Sequence, residues 1–83
     1  MAAREMRLAL DLLAAGDWKA AHLIVQEDGS LLAAWLHGIA HTFEGDFDNA
    51  RYWYGKAERD FPGPDSVEAE IAAALREAFG TDA

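Results

Sequence analysis

The sequence predicts an all-α domain of five helices, arranged as two antiparallel helical hairpins and a C-terminal capping helix. Three observations lead there. Apolar residues recur at three- or four-residue spacing in every segment, and none of the segments alternates as a half-buried strand does. Gly-Asp stands between two such segments twice, at Gly16-Asp17 and Gly45-Asp46; glycine accepts the left-handed turn that ends one helix, and aspartate caps the next. Phe61-Pro62-Gly63-Pro64 breaks the pattern once more, ahead of a last amphipathic stretch.

The helices are expected over about 3–15, 17–27, 31–44, 47–59 and 66–79, within a single domain spanning 1–83. The first carries Met6, Leu8, Leu10, Leu12 and Leu13 among good helix formers. The second carries Trp18, Ala21, Leu23, Ile24 and Val25, and Glu27-Asp28-Gly29-Ser30 follows as a turn with Ser30 as the next N-cap. The third places Leu32, Trp35, Leu36, Ile39 and Phe43 on one side, and His37, His41 and Glu44 on the other. The fourth presents Phe47, Ala50, Trp53, Tyr54 and Ala57. Asp65 followed by Glu68 reads as a capping-box-like start for the fifth, whose apolar face is Val67, Ile71, Ala74, Leu75 and Ala78.

Composition narrows the function. Of 83 residues, 52% are hydrophobic, enough for a compact core and against disorder. The absence of cysteine excludes disulfides and thiolate metal sites and fits a cytoplasmic location. Basic residues followed by leucines near the start have the look of a signal peptide, but Glu5 and Asp11 interrupt the run, which reads as a first helix. The net charge of −8 argues against nucleic acid and anionic membranes as partners, since both require a basic footprint. Arg51, Lys56 and Arg59 lie near Asp48, Glu58 and Asp60, as expected of a solvated, mutually paired surface.

The two Gly-Asp units head matching segments, Gly16-Asp17-Trp18…Ala21…Val25 and Gly45-Asp46-Phe47…Ala50…Tyr54. The second, with its preceding helix, resembles a tetratricopeptide repeat across Leu31 to Pro64. Gly38 stands at the small position of the first helix, Gly45 at the turn, Ala50, Tyr54 and Ala57 at the small-aromatic-small series, and Pro62 at the close. Trp35 and Leu36 each sit one place from the motif's usual Trp and Leu, His41 replaces the usual Tyr, and the internal spacing is below the usual ~34 residues. The resemblance therefore implies a tetratricopeptide-like fold, not a regular array. It also implies a peptide-binding face lined by Leu32, Trp35, Ile39 and Phe43. A second pattern, W-x-H-x3-H-x2-E-G-D-x2-N-A-x-Y-W-Y over Trp35 to Tyr54, resembles the core of a group of small uncharacterised bacterial helical proteins; it implies a bacterial source and no particular reaction.

His37 and His41, one turn apart, can direct their imidazoles to one point, with Glu44 a turn further on. His22 joins them if the second and third helices pack together. Neutral imidazole and carboxylate suit zinc or nickel, and His37 and His41 are the metal candidates. The same histidines fit, as the leading expectation, into a core, bonded to Tyr hydroxyls, Asn49 or backbone carbonyls. An enzyme would use a histidine as base, Glu44 to orient it, and Asn49 or Tyr52 to hold substrate, but no nucleophile motif or phosphate loop is present. The leading expectation is a non-enzymatic interaction module that binds a protein or peptide, or its own copy as a homodimer, and needs no cofactor. The alternative is a small-ligand or divalent-metal protein built on His22, His37, His41 and Glu44.

Overall fold

The computed structural model describes residues 3–80; the outermost residues of the expected 1–83 domain lie outside it. The elements are α1 (Ala3–Ala14), α2 (Trp18–Val25), α3 (Leu31–Glu44), α4 (Phe47–Lys56), a 3-10 turn (Pro64–Ser66) and α5 (Val67–Phe79). The described residues are thus all-helical. None of these helices is long and apolar enough to cross a membrane.

The Gly-Asp links work alike. Gly16 and Gly45 both take positive φ, +83° and +87°. The amide of Gly16 donates to Leu13 and that of Asp17 to Leu12; Gly45 and Asp46 repeat the pattern with Thr42 and His41. Each aspartate then turns its side chain onto the following helix, accepting from the Ala20 and Asn49 amides at 3.3 Å. One residue pair therefore closes one helix and opens the next, which keeps the connections short and holds each hairpin together. Ser30 caps α3 by accepting from the Ala33 amide at 3.1 Å.

Three expectations about helix ends change. α2 ends at Val25 and α4 at Lys56, earlier than expected. At α4 the chain closes through the same bond pattern, with Glu58 and Arg59 amides donating to Gly55 and Tyr54, but with Glu58 at φ +62° in the glycine position. No capping box forms at α5, because the residue before it, Ser66, makes no side-chain cap bond and a 3-10 turn leads into the helix instead.

Helix α3 is the centre of the molecule and packs against all four other helices. Ala33 through Ala40 are all buried, so α3 has no solvent face over that stretch and its expected division into two sides disappears. Leu10, Leu13, Val25, Leu36, Ile39 and Tyr54 are the largest side chains fully enclosed. Helix α5 lies across α1 and α3, and the dimensions, 28 × 25 × 23 Å, are nearly isometric. Its inner face is narrower than expected: Ile71 and Ala74 are buried, Val67 and Leu75 half-buried, and Ala78 exposed.

Two contacts lock this arrangement. Glu70 Oε1 on α5 accepts from the Tyr54 hydroxyl at 2.8 Å and from Trp35 Nε1 at 3.1 Å, tying α3, α4 and α5 to one oxygen. Burial and this acceptor drive the Tyr54 hydroxyl well above its ordinary pKa, so it remains a donor. Nearby, Arg59 lies 3.5 Å over the Trp35 ring and donates two bonds to Glu77, at 3.2 and 3.0 Å. Arg59 thus pairs across to α5 and not with its sequence neighbours.

At the α3–α4 crossing, a Cβ on Gly38 would stand 2.5 Å from Tyr54 Cδ1 and 3.3 Å from the Ala50 carbonyl oxygen. The hairpin closes only because that atom is missing. Replacing Gly38→Ala should therefore destabilise the fold by about 1–3 kcal/mol in urea unfolding, although alanine is the better helix former. Glu58→Gly should do the opposite and add about 0.5–1 kcal/mol, because it relieves a left-handed conformation that costs a side-chain-bearing residue energy.

Candidate functional site: a histidine cluster against Trp53

All three histidines of the chain meet where α2, α3 and α4 come together. α2 supplies His22, half-buried. α3 supplies His37, buried with 5% of its surface exposed, and His41, half-buried at the edge. The ring centroids lie 4.5 Å (His22–His37), 5.1 Å (His22–His41) and 5.0 Å (His37–His41) apart. One ring nitrogen from each lies within 4.8 Å of the others.

The side chains are held in ways the sequence only partly suggested. His37 and His41 stack on each other at 20°, as one helical turn requires, and His22 stands nearly perpendicular to both. The other face of His37 lies flat on the Trp53 indole, with centroids 3.8 Å apart and planes 9° apart. Tyr52 meets Trp53 edge-on at 5.3 Å. Between His22 and His37 the Nε2 atoms are 3.0 Å apart, so one Nε2–H donates to the other's lone pair. His41 Nδ1 is 2.8 Å from Glu44 Oε1. A carboxylate only accepts, so Nδ1 carries the proton, and Nε2 is the nitrogen of His41 that Glu44 leaves open to another partner.

Burial depresses the His37 pKa to about 4, with further lowering from His22 and then His41. His22 moves the same way, first by burial and then by His41, against a smaller opposing pull from Glu44. The cluster therefore contains neutral imidazole at pH 7, the form that donates an electron pair.

The remaining predicted site residues lie elsewhere. Asn49 Nδ2 donates to Asp46 Oδ2 at 2.7 Å, and those bonds hold the Asp46 carboxyl below its usual range. Tyr52 is exposed and reaches the cluster only through Trp53. Neither Tyr hydroxyls nor Asn49 serve the histidines: their polar partners are His22, His37 and Glu44 themselves. The small residue beneath Tyr54 is Gly38, while His37 sits under Trp53. Of the residues expected on a partner-binding face, Ile39 is fully enclosed and Trp35 is 3% exposed, with Leu32 and Phe43 half-buried around them. Helix α5 packs on that side, leaving Leu32 and Trp35 on the wall of one surface cavity and Phe43 on another.

Trp53 and Glu70 are the residues that sequence reasoning missed. Trp53 precedes Tyr54, as His37 precedes Gly38, and that register was the available signal for the stack. Glu70 carried no signal, since a glutamate on the last helix looks like any solvated charge.

Compared with protein families, curated proteins and solved structures, the chain matches none.

The histidines make a specific demand on pH. Between about pH 4 and the ordinary histidine value near 6.5, the unfolded chain binds the His37 proton and the folded chain does not, so stability rises with pH through that window. The contribution is present above about pH 6.5 and lost as pH falls toward 4. Urea unfolding of the metal-free protein should accordingly lose about 3 kcal/mol across it from this residue. His37→Phe, which preserves an aromatic ring against Trp53, should flatten that part of the profile.

Proposed function

We propose that this protein binds a divalent transition-metal ion at His22, His37 and His41. The observation that carries the reading is the convergence of three ring nitrogens from two helices within 4.8 Å. Metal–imidazole bonds of about 2.0–2.1 Å place tetrahedral donors roughly 3.3 Å apart. The 3.0 Å between the His22 and His37 Nε2 atoms is near that spacing, so those two rings need only a small outward movement to share an ion. It also needs the shared proton to leave Nε2 for Nδ1 or solvent. The Glu44–His41 bond supports the reading further, because a carboxylate on the far ring nitrogen fixes the tautomer and raises the basicity of the ligating one. An all-nitrogen donor set without thiolate or ligating carboxylate suits zinc, nickel, cobalt or copper over magnesium and calcium.

An ion fits this place better than an organic ligand. Three surface cavities border Trp35 and Arg59, Tyr52 and Trp53, and Phe43 and Ile71, and no histidine lines any of them. A peptide groove along α1 and α3 has weaker support, since α5 occupies that side. Within this reading the two Gly-Asp hairpins are tetratricopeptide-like units and α5 a cap, and the unit-to-unit junction is where His22 meets His37.

Calorimetric titration of the protein with zinc at pH 7 should give one site per chain and a raised Tm. His37→Phe should abolish the binding with helix content unchanged by circular dichroism. Glu44→Gln should retain the site but weaken it about 10- to 100-fold. Absence of zinc, nickel, cobalt and copper binding by the folded wild-type chain would sink the proposal.

A further inference from the structure

Three imidazoles leave a four-coordinate ion one ligand short, and the surroundings supply no obvious fourth. We infer that an ion held by His22, His37 and His41 keeps one coordination position for an exogenous ligand, a small monodentate anion or the water it displaces. This inference rests on the metal-binding reading and adds that the site is an open, ligand-accepting centre instead of a closed structural one.

The donor count comes first. Among the described residues, the group that converges with His22 and His37 ends at His41. Glu44 and Asp46 approach His41 in a separate group and do not share in the first, and the chain has no cysteine.

Both carboxylates are also committed. Glu44 Oε1 accepts the proton of His41 Nδ1 at 2.8 Å, on the ring nitrogen other than the Nε2 left to ligate. To ligate the same ion it would have to abandon the histidine it orients. Asp46 accepts from the Asn49 amide at 3.3 Å and from Asn49 Nδ2 at 2.7 Å, as the N-cap of α4. Drawing it to an ion would uncap that helix.

Access and charge favour a small anion. His37 forms the buried floor, while His22 and His41 are half-buried and bring the cluster to the surface. Ring centroids 4.5–5.1 Å apart restrict what can enter from that edge to a few atoms. Three neutral imidazoles cancel none of a divalent ion's charge, so the ion stays a strong Lewis acid that attracts an anion and acidifies a bound water. Trp53 covers one face of His37 and holds that ligand still while the fourth partner exchanges.

Cobalt(II) loading of the full chain, followed by azide titration, tests this by visible absorption. The expected result is a set of ligand-field bands on loading, and a saturable shift of those bands as azide takes the fourth position. Glu44→Gln should bind cobalt more weakly yet keep the azide-induced shift, because the carboxylate acts through His41. Cobalt bands that ignore azide would mean a fourth protein ligand closes the site; the inference then fails and metal binding stands. A Glu44→Gln variant that binds cobalt without the azide shift would also overturn it. A folded chain that develops no cobalt bands overturns the inference, and one that also binds none of zinc, nickel and copper overturns the metal-binding reading with it.

Discussion

Everything at the histidine cluster depends on how closely α4 approaches α3, and Gly38 sets that distance. With no Cβ there, the Tyr54 ring lies on the α3 backbone and the Ala50 carbonyl comes within reach. The residues one place earlier on each helix, His37 and Trp53, are then brought face to face at 3.8 Å. A wider crossing would part those rings, and His37 would lose the flat apolar surface that excludes water from one side. The same crossing buries Thr42, whose hydroxyl finds its acceptor within α3, on the Gly38 carbonyl at 2.8 Å. Sterics at one glycine thus reach directly into the electrostatics of a histidine.

The far side of α3 is organised by a different force. Two buried donors, the Tyr54 hydroxyl and the Trp35 indole N–H, need an acceptor, and Glu70 brings α5 to them. Once α5 is docked, the face along α1 and α3 that an open helical array would leave for a peptide is filled by the chain itself. Closure of this kind suits a small domain, which buries a smaller share of its surface than a large one. The price is a central helix with no free surface over most of its length.

These two sides leave the α2–α3–α4 junction as the place where polar chemistry survives near the surface. Imidazoles this close repel one another when charged, and burial of His37 and His22 adds to that penalty, so the folded state favours the neutral forms of those two. Neutral imidazoles can satisfy each other by a hydrogen bond, as His22 and His37 do, but three of them around a point still expose more lone pairs than protons. A cation is the partner we propose for such a cluster. Glu44 completes the picture by pinning the edge histidine in one tautomer without entering the cluster.

How much of this was legible in the chain follows from the range of each interaction. Helix class, the Gly-Asp links and the Ser30 cap are local, decided within four or five residues, and the sequence by itself determined them. So was the pairing of His37 with His41 and Glu44, because helical periodicity puts them on one surface. The end of α4 was misplaced by three residues, because Glu58 takes a conformation its side chain disfavours and no local preference announces it; α2 also ends two residues early, at Val25. The remainder was decided only by tertiary structure. His22 belongs to the cluster because α2 packs on α3, Trp53 because Gly38 lets α4 close in, and Glu70 because two distant donors required an acceptor. Ile39 and Trp35 were expected on a peptide-binding face only through the resemblance, and packing against α5 encloses them. Periodicity shows which residues share a side of a helix; only packing decides what that side meets.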